Sequence, residues 1–64
     1  MNEPSSLKGK RVLVVDDEEL IREMIKDEIR FREGEVFEAE NGKLGLEIVK
    51  NNPIDIVISD IRMP

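Results

Sequence analysis

A chain of 64 residues with no cysteine, no histidine and a net charge of −5 has no disulfides to hold it and lacks the usual zinc ligands. Its acidic balance offers no basic stripe for nucleic acid and no attraction to an anionic membrane surface. A domain this small buries only about 60% of the surface its unfolded chain exposes, so a hard metal on oxygen ligands or a partner subunit is the expected source of extra stability.

Residues 1–8, "MNEPSSLK", are polar and are expected to form a disordered tail without the apolar stretch of a signal peptide. Arg11 to Val15 is a valine-rich run of the kind found in strands covered on both faces. Its apolar part is far short of the roughly 20 residues of a membrane span, and a cytoplasmic location is expected. Glu18 to Glu33 has helical spacing: Ile21, Ile25 and Ile29 lie four apart, and Leu20, Met24 and Phe31 widen that face. Glu28 falls within the same apolar arc and is expected at a wet rim. Gly34 is expected to stop the helix as a left-handed cap.

"EVFEA", Glu35 to Ala39, alternates as a short strand does. Asn41 then serves as a candidate N-cap for a helix over Lys43 to Asn51 that would bury Leu44, Ile48 and Val49. Gly45 sits inside that helix at a cost of about 1 kcal/mol relative to Ala, which a close approach to a strand would explain. Pro53 ends it, and Ile54 to Ser59 forms a third strand, apolar apart from Asp55 and the closing Ser59. Strands alternating with helices on short connections predict a parallel sheet flanked by helices.

Right-handed crossovers bring the ends of all parallel strands to one edge. Asp16 and Asp17 follow the first strand and Asp60 follows the third. On neighbouring strands about 4.8 Å apart, these carboxylates converge. Two carboxylates about 5 Å apart repel by roughly 3 kcal/mol at an effective dielectric of 20. A hard divalent ion relieves that repulsion, and magnesium accepts such a set. Asp55 begins the third strand, at the opposite edge, and is left out of the site. Taken alone, Asp17 would read as a helix N-cap and Asp60 as a turn residue.

"VLVVDDEE" followed by "IDIVISDIRMP", with "ENG" after the second strand, resembles the receiver domain of two-component response regulators. The resemblance runs from Lys10 to Pro64, and residues 9–64 are expected to form the N-terminal half of such a domain. It implies a truncated flavodoxin-like α/β fold, β-α-β-α-β, with parallel strand order 2-1-3. It also implies Mg2+ on Asp16, Asp17, Asp60 and the backbone carbonyl of Arg62, with Asp60 accepting phosphate from a histidine kinase. The later strands of the family, with their Ser or Thr and Lys, have no counterpart in these 64 residues, so impaired phosphotransfer is expected.

The expected role is a signalling module and not an enzyme. A magnesium-dependent phosphohydrolase with an aspartate nucleophile would carry a second Asp two residues after Asp60, where this chain has Arg62. An inert half-fold with a structural role is the other alternative. Because the third strand is apolar and has only Asp55 to blunt it, a homo-oligomer through that strand is expected.

Overall fold

The structure, a computed structural model, describes residues 6–59. Five elements follow in order: β1 (Arg11–Val15), α1 (Glu19–Phe31), β2 (Glu35–Ala39), α2 (Gly42–Asn51) and β3 (Ile56–Ser59). The strands form one parallel sheet in the order β2-β1-β3, so the expected 2-1-3 arrangement is present. Val12, Leu13 and Val14 of the central strand are almost fully buried, as a run covered on both faces should be.

The register assigns the faces. Val12 pairs with Val36 and Ile56, and Val14 with Glu38 and Ile58, so these residues share one face. α1 covers it, with Ile29 packed on Val12 and Val14 and with Ile25 and Leu7 beside them. Leu13, Phe37 and Val57 share the other face, where α2 lies. Gly45 makes the close approach expected of it: an added Cβ would stand 3.0 Å from Val15 Cγ2 and 3.6 Å from Leu13 Cδ2. Among the described residues, neither helix packs on β3.

That gap corrects the expected helix faces. Leu20, Met24 and Phe31 are exposed, at 78%, 67% and 83%, and do not join the core. The buried arc of α1 is instead turned toward Ile25, Lys26 and Ile29, where the sheet lies. Glu28 is solvent-exposed and pairs with Arg32 one turn on, at 2.7 Å. On α2 only Gly45 is fully buried; Leu44 and Val49 are more than two-fifths exposed, because no neighbouring layer covers the flanks of the helix.

Both helix ends have a physical account. Asn41 Oδ1 accepts the Leu44 backbone N–H at 2.8 Å, the expected N-cap of α2. At the end of α1 the left-handed residue is Glu33, with φ 68°, and not Gly34. The Gly34 N–H donates to the Ile29 carbonyl and the Glu33 N–H to the Arg30 carbonyl, both at 2.9 Å, which is the Schellman pattern. Gly34 is needed for space: a Cβ there would lie 2.8 Å from Ile29 Cγ2 and 3.1 Å from Leu7 Cβ.

Leu7, placed in the tail by composition, is instead tied down, its N–H donating to the Arg32 carbonyl at 2.8 Å. Residues 1–5 lie outside the described residues, as do Asp60 and Arg62. No helix among the described residues is long and apolar enough to cross a membrane.

Candidate functional site at the carboxyl edge of the sheet

The candidate site begins where β1 runs out. Val15 is the last strand residue, paired with Ala39 on one side and Ser59 on the other. The Asp16 N–H still donates to the Ala39 carbonyl at 3.1 Å, which carries the backbone straight over the sheet edge. Asp16 is therefore buried, at 4% exposure, while Asp17 and Glu18 are exposed.

Asp16 Oδ1 accepts the Glu18 N–H at 2.8 Å, which folds the loop back on itself. One carboxylate oxygen each from Asp16, Asp17 and Glu18 then lies within 4.8 Å of the others. They border a cleft of about 260 Å³ lined also by Val15, Glu40, Asn41, Gly42 and Ser59, the carboxyl ends of all three strands. Hard oxygen donors at this spacing fit a hard divalent cation and suit neither a soft metal nor zinc.

The expected metal acids Asp16 and Asp17 are thus brought together. Glu18, read from the sequence only as a favourable charge at the helix start, joins them. It occupies the N-cap position of α1 without a side-chain cap bond, and Asp17 is not the cap. The expected phosphoacceptor Asp60 and the Arg62 carbonyl fall outside the described residues. Ser59, immediately before Asp60 in sequence, pairs with Val15, immediately before Asp16. Asp55 belongs to the other edge: its Oδ2 accepts the Arg11 N–H at 2.8 Å, and its N–H donates to the Arg11 carbonyl.

Behind the acids stands a charged network that periodicity did not disclose. Arg22 Nη1 donates to the Asp16 carbonyl at 2.7 Å, and Arg22 Nε reaches Glu38 Oε1 at 3.0 Å. Lys26, only 6% exposed, meets Glu23 and Glu38, each at 2.7 Å. Hydrogen bonds from Glu23 and then Glu38 hold the Lys26 ammonium above its ordinary value of 10.5. Lys26, followed by Arg22, holds the Glu38 carboxyl below its ordinary 4.5. Arg22 thereby connects the backbone of the acid loop to β2 through α1. A basic residue four positions before Lys26 was the available signal; the partner on β2 was not visible in the helix spacing.

Comparison with known proteins agrees with this geometry. The family model of the response regulator receiver domain matches residues 12–64. The chain is 49% identical over 57 residues to the chemotaxis protein CheY of Thermotoga maritima, covering 88% of this chain and 48% of that protein. It is 43% identical over 61 residues to a probable transcriptional regulatory protein of Picosynechococcus, covering 84% of this chain and 24% of that one. It is 36% identical over 53 residues to histidine kinase P4 of Formosa agariphila, covering 83% of this chain and 4% of that protein. The chain thus spans less than half the length of each of these relatives, and no solved structure matches it significantly. With a parallel 2-1-3 sheet, acids gathered at its carboxyl edge and a family match over most of its length, the chain belongs to the response regulator receiver domain family of two-component signalling.

Proposed function

We propose that the chain is the phosphoacceptor part of a receiver, with Asp60 the residue that takes the phosphoryl group from a histidine kinase. Asp16 and Asp17, together with Asp60 and the Arg62 carbonyl, would hold Mg2+. The observation that carries this reading is the gathering of the Asp16, Asp17 and Glu18 carboxylates within 4.8 Å beside the end of β3. Bound magnesium would neutralise phosphoryl oxygens next to the accepting carboxylate. The chain's own contribution is to fix the acids: the Asp16 bond to Glu18 and the Arg22 bond to the Asp16 carbonyl hold the loop.

On this reading the chain is a cytoplasmic signalling module and not an enzyme, with no direct contact to nucleic acid or membrane. Its net charge of −5 supports that. It also self-associates through β3, an edge strand whose Ile56, Val57 and Ile58 are exposed.

Labelling with acetyl phosphate followed by intact mass is the test. A stable adduct lost in Asp60→Asn supports the reading. The rate in this 64-residue polypeptide is expected to be far below that of a receiver of the family's full length, because positive and hydroxyl donors around the phosphoryl group stabilise its charge. Turnover without an adduct supports a phosphohydrolase. Absence of any reaction supports an inert half-fold, a reading favoured by the lack of helix packing on β3.

A further inference from the structure

The two edges of the sheet differ. β2 is defended by Glu35 and Glu38 and by the Arg22 and Lys26 side chains that reach across to Glu38. β3 has no such guard: Ile56, Val57 and Ile58 are 37%, 52% and 38% exposed. An apolar strand with one unpaired backbone edge is a template for another strand. Its own sequence determines which strand fits.

We infer that a second copy of the chain adds antiparallel to β3 in the single register that sets Val57 opposite the partner's Val57. This rests on the self-association proposed above and adds its geometry. A two-fold axis perpendicular to the sheet keeps each face on its own side, so residues directly opposite one another must share a face. Ile56 and Ile58 lie on the α1 face and Val57 on the α2 face. Pairing must therefore centre on a residue and not between two.

Centred on Val57, Ile56 faces the partner's Ile58 on the α1 side and Val57 faces its own counterpart on the α2 side. Asp55 then faces the partner's Ser59, a hydroxyl donor. Centring on Ile58 sets Val57 against the polar Ser59, and centring on Ile56 sets Val57 against the charged Asp55. Only the first register matches every exposed apolar residue of β3 with another.

Charge favours the same orientation. Asp16, Asp17, Glu18 and Glu40 crowd the carboxyl edge, while Lys8, Lys10 and Arg11 stand at the amino edge. Antiparallel addition turns each acid edge toward the partner's basic edge. A parallel arrangement would align the acids. The two candidate metal sites lie at opposite ends of the joint sheet, and each is built from one copy.

The chain has no cysteine of its own, so single substitutions report the register directly. Opposite residues in an antiparallel pair have Cα atoms about 4.5–5.5 Å apart, inside the window of a disulfide. Under mild oxidation, Val57→Cys is expected to yield a covalent species of twice the 7.4 kDa chain mass. A mixture of Ile56→Cys and Ile58→Cys is expected to give the mixed dimer. Ile58→Cys alone is expected to give little, since its two copies would stand roughly 8 Å apart. Should Val57→Cys lose its circular dichroism, the mixed pair decides. Cross-linking strongest in Ile58→Cys alone, or equal at all positions, overturns the register. Sedimentation of the unsubstituted chain separates the two proposals: a dimer without these cross-links removes the register only, and a folded monomer removes self-association as well.

Discussion

Lys26 of α1 and Glu38 of β2 meet at 2.7 Å under the helix, with Lys26 only 6% exposed. An ammonium in that position is tolerated because Glu23 and Glu38 both accept its protons, and it ties the first helix to the second strand. Removing one partner of such a pair leaves the other uncompensated, whereas an apolar side chain of similar length is often accommodated. Lys26→Ala should therefore lower the thermal midpoint, and Lys26→Met should recover much of the loss. Equal midpoints for Lys26→Ala and the unsubstituted chain would show that the pair contributes nothing.

The same pair sets a response to acid. The Glu38 carboxyl is held below its ordinary value, chiefly by Lys26 and then by Arg22. A group depressed on folding contributes stability that is fully present above its unfolded value near 4.5 and is lost as pH falls through the folded one. Denaturation midpoints should fall below pH 4.5, and the fall should be shallower in Glu38→Gln. Lys26, raised on folding, acts at the other end: its contribution is lost only as pH rises beyond 10.5. An acid slope unchanged in Glu38→Gln would assign the loss to other carboxyls.

Glu33 carries a φ of 68° where glycine is the usual residue. Left-handed backbone costs a residue with a Cβ roughly 1–2 kcal/mol. Glu33→Gly should raise stability by about 1 kcal/mol in urea denaturation, while Gly34→Ala should lower it, because its Cβ would strike Ile29 Cγ2. The reverse order of these two variants would contradict the cap geometry.

Gly45 separates propensity from packing. A methyl at Gly45 meets Val15 Cγ2 at 3.0 Å, and Val15 is only partly buried and has room to shift. The helix preference of Ala over Gly, about 1 kcal/mol, offsets that shift, so Gly45→Ala should be near neutral. Gly45→Val adds branches toward Leu13 and Ala39 and should cost about 1–3 kcal/mol by overpacking. Equal stability of the two would mean that α2 lifts freely from the sheet.

Much of the fold was legible in the residues. The valine run of β1, the short alternation of β2 and the breaks at Gly34, Asn41 and Pro53 define the elements, and Gly45 already marked a close approach. The orientation of α1 was not legible. Leu20, Met24 and Phe31 make its apolar arc look wider than the part that packs, and Lys26 looks like a surface residue until its partners arrive from β2. A side chain is buried by what lies opposite, and helix spacing carries no record of that. Glu33 shows the same limit, since its neighbour Gly34 offered the more usual left-handed residue. In the site, the strand ends brought Asp16 and Asp17 together as expected, while Glu18 joined them through a loop bond no spacing rule encodes.

The central claim is that the acids at the end of β1 form a magnesium site of receiver type. Titration with magnesium chloride while following backbone amide shifts tests it most directly. Saturable changes confined to residues 15–18, 40–42 and 59, abolished in Asp17→Asn with the remaining spectrum intact, are the predicted result. No saturable change at those residues, or shifts spread evenly over the surface and unaltered in Asp17→Asn, would contradict it.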